Sequence, residues 1–458
     1  MKRTIVATLL LTAGAAGVLF YYTAAREREF RRLVEAGQAA LAQEQTFVAI
    51  EAFSGAIALR PDSMLAYLKR GETYRRRGDL VSAARDLKMA TQLDPTATRP
   101  LEQLGDLNMA RQLNGRAADA YLSYLKLDDR SPRVLYKLAL SRRNEGNADA
   151  AIRALRDAIA MNDRFAEAYY VLGLCLRDRK QSSEALDTIH TAVRLAPGLI
   201  PAREELADLY RAAGRHREEI DQLDALRQLE PSRAERHVAL GLAYARLGRI
   251  DLAIGTLGTA AEQFPQQPLV YSALGRVWLQ TAELRGDPAA LRKALEALNV
   301  AATGPVADSA VLALLGRALM LAGQFAAAEQ ILVQATSQLP TDPTAYTALA
   351  AVAERLGHFG TARQALLAHA TLTGDPDGSS VAARIADLSM QLDDPEVAAL
   401  WYTRAIAAGS SQDATLLAHL ASAQLRSGRR DEARATLTRA LALEPGNTFA
   451  LKVSRQIK

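Results

Sequence analysis

Cysteine is almost absent: Cys175 stands alone among 458 residues, which excludes an intramolecular disulfide and any metal cluster built from several thiolates. Its surroundings, YYVLGLCLRD, read as an apolar helix face in which it is a small core residue. Histidine is nearly as sparse. The six (His190, His216, His237, His358, His369, His419) are dispersed, and neither an H-E-x-x-H pair nor a cysteine–histidine spacing occurs. His216-Arg217-Glu218-Glu219 lacks the second histidine. A glycine-rich phosphate loop and a Gly-x-Ser-x-Gly elbow are also missing. No residue constellation is left for catalysis, so the expectation is a protein that is not an enzyme and has no catalytic residue, cofactor or metal. Aromatics are only 5% and β-branched runs of strand type are lacking, so no sheet is expected.

A sustained excess of one charge is lacking as well. The formal charge is +5, but residues 1–32 carry six basic groups (Lys2, Arg3, Arg26, Arg28, Arg31, Arg32) against Glu27 and Glu29. That end accounts for +4, leaving +1 for the other 426 residues. A phosphate-tracking surface needs a local surplus of Lys and Arg, so nucleic-acid binding is not expected.

What is present begins with an uncharged run of 22 residues, Thr4 to Ala25. A signal-peptide core is about 7–15 residues and a membrane-spanning helix needs about 20, so length favours an uncleaved signal anchor inserted through residues 4–25. Phe20, Tyr21 and Tyr22 suit an interface; the small residues Thr23-Ala24-Ala25 keep cleavage open. Sidedness cues conflict. Lys2 and Arg3 ahead of an apolar run form an export pattern, whereas Arg26, Arg28, Arg31 and Arg32 favour the opposite orientation. The export pattern makes a periplasmic location the expectation, as a single-pass protein of a bacterial inner membrane.

The rest of the chain repeats a unit seen most clearly in AERHVALGLAYARLGRIDLAIGTLGTAAEQFPQQ, Ala234 to Gln267. His237, Leu240, Gly241 and Tyr244 fall at i, i+3, i+4 and i+7; after Gly248 a second run places Ala253, Leu257 and Ala260 on one face, and Pro265 stops it. The unit is a helical hairpin of 34 residues. One hairpin cannot bury enough apolar surface to offset its chain entropy, so copies must stack. About twelve copies follow. Repeat eight carries seven extra residues within LQTAELRGDPAALRK, read either as two lengthened helices around Gly286-Asp287-Pro288 or as a binding protrusion. Between repeats ten and eleven, TGDPDGSS is the strongest helix breaker and reads as a joint.

The spacing of Leu-Gly, Tyr, Ala, large apolar, Ala and Pro resembles the tetratricopeptide repeat (TPR). The resemblance implies an all-α, right-handed superhelical solenoid of about twelve hairpins, which the uncharged run 4–25 would precede with one transmembrane helix. It divides the chain into the anchor (1–29), repeats one to seven (30–267), repeats eight to ten with the insert near 280–293 (268–378), and repeats eleven and twelve with a C-terminal capping helix (379–458). In the family, positions two, five, nine, twelve and thirteen of each first helix line a partner groove. Carried over, they give a basic set (Arg75, Arg76, Arg99, Arg133, Arg143, Arg177, Arg211) facing an acidic one (Glu72, Glu102, Asp106, Glu167, Asp178, Glu204, Asp208). Arg75, Arg143, Arg177 and Arg211 form either a ladder for a partner or part of a mutually paired, solvated face, with Tyr136 and Tyr170 as anchors. In the later repeats the same positions become apolar, including Met320 and Met390. These accept an amphipathic helix or pack on themselves. The Lys and Asn pair that grips chaperone tails is missing at Leu68/Glu72, Glu102/Asp106 and Tyr136/Leu140. The resemblance therefore implies a membrane-tethered scaffold for protein or peptide partners in an envelope, secretion or pilus-type assembly; the alternative is a cytoplasm-facing adaptor for an enzyme of polymer biogenesis or protein turnover. Self-association stays open.

Overall fold

The computed structural model describes residues 2–303, 308–373, 379–409 and 413–457, with side chains from residue 16 onward, Ser379 excepted. Among the described residues there are twenty-five helices and no strand. They form twelve helix pairs, A and B, followed by a final helix, Thr448–Gln456. The chain divides into two compact units, Met1–Arg215 and His216–Lys458.

Within the first unit the hairpins stack in chain order. Repeat two shows why the sequence folds this way. Its A helix, Met64–Arg76, starts where the Ser63 hydroxyl accepts the Ala66 N–H, and its B helix, Leu80–Leu93, starts where the Asp79 carboxylate accepts the Ser82 N–H. Each cap satisfies one otherwise orphaned amide. Between them Gly78 takes φ +84°, and the Asp79 N–H reaches back to the Tyr74 carbonyl at 3.0 Å, a six-to-one closure that ends helix A and re-aims the chain. Ala83, Leu87 and Ala90 then lie fully buried against helix A. A buried leucine is worth about 1.5–3 kcal/mol, and the flanking alanines set the helix separation.

The turn recurs in every hairpin. Left-handed backbone occurs at Gly78, Gly146, Gly214, Gly248, Gly286, Gly323, Gly357 and Gly428, and also at Glu44, Gln112, Lys180 and Asp393. The last four hold the same place in repeats without a turn glycine, where the geometry costs about 1–2 kcal/mol for a residue with a Cβ. Helix approach is equally demanding: a Cβ on Gly173 would lie 2.2 Å from Ile189 Cγ1, and one on Gly105 2.4 Å from Tyr121 Cε1.

The second unit begins with helix His216–Leu229 and contains hairpins seven to twelve. In repeat eight the insert is absorbed mainly by helix A: Pro268–Arg285 has 18 residues against 13 in Ala234–Arg246, while Pro288–Ala302 has 15 against 14 in Ile250–Gln263. Gly286 takes φ +63° and the Asp287 carboxylate caps Ala289. The extension brings Glu283 to 2.7 Å from Arg317 of repeat nine. The centre of TGDPDGSS, 374–378, lies outside the described residues.

The first helix, Lys2–Ala42, is continuous. From Phe30 it is helix A of repeat one, with Phe30, Val34 and Ala40 buried; before that Val18, Leu19, Phe20, Tyr21 and Tyr22 are 58–75% exposed. Among the described residues no helix is long and apolar enough to cross a membrane. The run assigned to an anchor, 4–25, lies for its residues 4–15 outside those whose side chains are described.

Candidate functional site

On the A helices of the first unit, the positions carried over from the family hold charges that bind one repeat to the next. Arg99 reaches back to Glu72 at 2.8 Å. Glu102, almost fully buried, receives Arg133 and Lys137, and Lys137 also lies 2.8 Å from Asp106. Burial works against ionisation of Glu102, but the bonds from Arg133 and Lys137 win and hold its pKa below the usual carboxylate value. Arg143 meets Asp178 at 3.1 Å, Arg177 meets Asp178 at 2.9 Å and Glu205 at 2.6 Å, and Arg211 meets Asp208 at 2.6 Å. Of the four arginines in the expected ladder, three are thus paired. Arg75 makes no ion pair among the described residues. Half-exposed pairs of this kind contribute about 0–1 kcal/mol each; those of Arg99, Arg133, Lys137, Arg143 and Arg177 join neighbouring A helices, whereas Arg211 and Asp208 share one helix.

Lys137 was not legible as part of this face, because it sits at position six, outside the carried-over set. It belongs to a recurring arrangement. In repeat three the Tyr121 hydroxyl donates to Asp106 at 2.8 Å, and Lys137 of the next repeat closes on the same carboxylate. In repeat eleven the Tyr402 hydroxyl donates to Asp387 at 2.5 Å, and His419, at the corresponding place in repeat twelve, lies 3.8 Å from it. A tyrosine replacing the buried B-helix leucine needs a partner for its hydroxyl, and the Asp at A-helix position nine supplies it.

Tyr136 and Tyr170 differ from this pattern. Both rings are half-buried against the core of repeats three to five, Tyr136 with its centroid 5.2 Å from that of Phe165. Burial, followed by Glu167, raises the Tyr136 phenol pKa; burial, followed by Glu205, raises that of Tyr170. Neither hydroxyl has a hydrogen-bond partner among the described residues. In the second unit Met320 and Met390 are half-buried against the cluster around Leu349, Leu366, Trp401 and Tyr402. The structure brings Tyr136 and Tyr170 onto neighbouring A helices together with Arg143 and Arg177. Met320 and Met390 form a separate apolar stretch.

Among the described residues no group of three histidine, cysteine, aspartate or glutamate side chains could hold a metal ion. Cys175 is buried, and burial pushes its thiol up to about 11, away from nucleophilic use.

Residues 34–98, 136–200 and 238–304 match a family model described as tetratricopeptide repeat, 309–352 match a second so described, and 416–450 a third. No curated protein matches. Among solved structures, MamA is 26% identical over 35% of this chain and 93% of its own, with a TM-score of 0.34. Cut9–Hcn1 of the APC/C is 14% identical over 93% of this chain and 96% of its own, at 0.37. YrrB, described as a TPR protein with an unusual peptide-binding site, is 21% identical over 40% of this chain and 94% of its own, at 0.35.

Proposed function

The chain belongs to the tetratricopeptide repeat family, a fold suited to binding proteins and peptides, and we propose that it is a membrane-tethered scaffold that holds partner proteins on its A-helix face. The observation that carries this reading is the contrast on that face: most of its charges are spent on neighbouring repeats, while Tyr136 and Tyr170, on large half-buried rings, have hydroxyls without a hydrogen-bond partner among the described residues. Such a ring offers apolar area and one directed hydrogen bond at little entropic cost, the usual profile of an interface anchor. The scaffold works by binding alone, without catalysis.

The tether rests on the uncharged run 4–25 and on the exposed Val18, Leu19, Phe20, Tyr21 and Tyr22, which continue without a break into repeat one. An apolar stretch left uncovered on a helix suits a bilayer. The reading places the protein in a bacterial inner membrane with the repeats exported, serving an envelope, secretion or pilus-type assembly. A second reading is favoured by Arg26 and Arg28, which are exposed and make no ion pair among the described residues. Basic groups beside a span favour the cytoplasm, where the protein is an adaptor for an enzyme of envelope polymer biogenesis or protein turnover.

The test is capture of cross-linked partners from membranes by the full chain, with alkaline extraction of the same membranes and a reporter fused after Lys458 that is active only outside the cytoplasm. Retention, reporter signal and recovery of a defined partner support the reading. Release by alkali removes the tether; a silent reporter with retention moves the repeats to the cytoplasm.

A further inference from the structure

The B helices of repeats two and three, Leu80–Leu93 and Asn114–Leu125, enclose a cleft of about 470 Å³ whose floor is the A helix Thr98–Ala110. It lies on the opposite side of that helix from the family groove. At 3.6 residues per turn, Arg99, Glu102 and Asp106 project one way, and Leu101, Leu104 and Asn108 the other.

Related clefts occur between the B helices of repeats six and seven and of repeats seven and eight, where the floor carries Tyr244 and Trp278. Tyr74 and Tyr210 hold the same helix position in repeats two and six. In repeat three that position is Asn108. There a small carboxamide stands where those repeats have a ring. Asn108 is only 6% exposed, and its carboxamide has no hydrogen-bond partner among the described residues. Its donor and acceptor match those of a peptide bond.

The walls carry Lys88, Arg111 and Arg116 against the single carboxylate of Asp119. None of the three cations makes an ion pair among the described residues, in contrast to the paired charges of the opposite face. Leu101 and Leu104 give the floor its apolar surface. We propose that this cleft is a second binding site, taking an extended acidic segment of a protein partner, with its backbone on Asn108, an apolar side chain on Leu101 and Leu104, and its carboxylates on Lys88, Arg111 and Arg116. An extended chain alternates its side chains, so glutamates and leucines in alternation meet both the rim and the floor.

The probe is a capped fluorescent octapeptide of alternating glutamate and leucine, measured by anisotropy with the full chain at low salt beside a lysine–leucine counterpart. The acidic peptide binds and weakens with salt. Arg111→Glu with Arg116→Glu lowers its affinity about tenfold or more. Asn108→Tyr, which removes the carboxamide and installs the residue found in repeats two, six and seven, abolishes binding with the helical melt unchanged. Tyr136→Ala with Tyr170→Ala leaves this binding intact, which separates the cleft from the A-helix face. The proposal is overturned if the acidic peptide does not bind at about 1 mM, if the lysine peptide binds equally, if inorganic phosphate displaces the acidic peptide as a small anion would, or if Asn108→Tyr changes nothing while the protein stays folded.

Discussion

Substituting alanine for glycine at A-helix position eight should have unequal consequences in two repeats that look alike in sequence. At Gly71 an added Cβ would stand 3.1 Å from Leu87 Cγ, tight but adjustable. At Gly173 it would stand 2.2 Å from Ile189 Cγ1, 2.8 Å from Cδ1 and 3.3 Å from the Ala185 carbonyl oxygen. The difference lies in branching: a β-branched isoleucine has little χ1 freedom in a helix and cannot swing Cγ1 away. Overpacking of this kind costs about 1–3 kcal/mol, and the better helix propensity of alanine returns about 1 kcal/mol. Gly173→Ala should therefore destabilise repeat five by up to about 2 kcal/mol. Gly71→Ala should lie within about 0.5 kcal/mol of the parent, because propensity and crowding offset. The natural chain supports the milder case, since Ala139 and Ala350 occupy this position opposite Leu155 and Leu366, all closely buried. A repeat array need not unfold in one step, so the assay is amide hydrogen exchange in helices Ala166–Asp178 and Met64–Arg76 of the full chain. Ile189→Ala alone should cost about 2–5 kcal/mol, and combining it with Gly173→Ala should cost less than the sum by about 1 kcal/mol or more. Equal effects at Gly71 and Gly173, or full additivity of the pair, refute the reasoning.

Three further outcomes follow from the same geometry. Lys180 is held at φ +62°, so Lys180→Gly should stabilise the hairpin by about 0.5–1 kcal/mol while Gly146→Ala destabilises its own by about 1, both read by exchange protection. The Arg70–Asp86 pair is bidentate, with Asp86 1% exposed and Arg70 also donating to Ser54; Asp86→Ala should cost about 3–5 kcal/mol, whereas Arg70→Met with Asp86→Leu should stay within about 1 of the parent in denaturant midpoint analysis. With its thiol raised to about 11, Cys175 is about one part in a thousand thiolate at pH 8 and should resist a colorimetric thiol reagent until the chain is unfolded; prompt labelling of the native protein would contradict its burial.

The hairpins were legible because each rests on local spacing: Leu, Gly and Tyr on one helix, Ala, large apolar and Ala on the next. Four of the turns were not. Glu44, Gln112, Lys180 and Asp393 adopt the left-handed turn with no glycine to announce it, since the fold imposes the geometry from both flanking helices. The division between Arg215 and His216 leaves no mark either, because the repeat phase runs through it unbroken. On the A-helix face, the residue types were readable, but which charges find partners depends on side chains about one repeat apart. Thus Arg143 and Arg177 are paired, Arg75 has no ion pair among the described residues, and Lys137 entered from a position outside the expected set. Asn108 was hidden for another reason: a polar residue at one helix position gains meaning only when the cleft around it is seen.

The claim that the A-helix face is the partner-binding surface is tested most directly by the affinity of the captured partner for the chain and for its Tyr136→Ala, Tyr170→Ala variant, with helical melts measured alongside. Loss of two desolvated anchors predicts a drop of about 2 kcal/mol or more, close to thirtyfold in Kd, against about 0.5 kcal/mol for reversing the exposed Arg211, with the chain still folded and its melt only modestly lowered, since the rings are half-buried. An unchanged affinity in the tyrosine variant, with binding abolished instead by Met320→Ala and Met390→Ala, would contradict the account and move the site to the second unit; a collapsed melt would show that the two tyrosines are core residues.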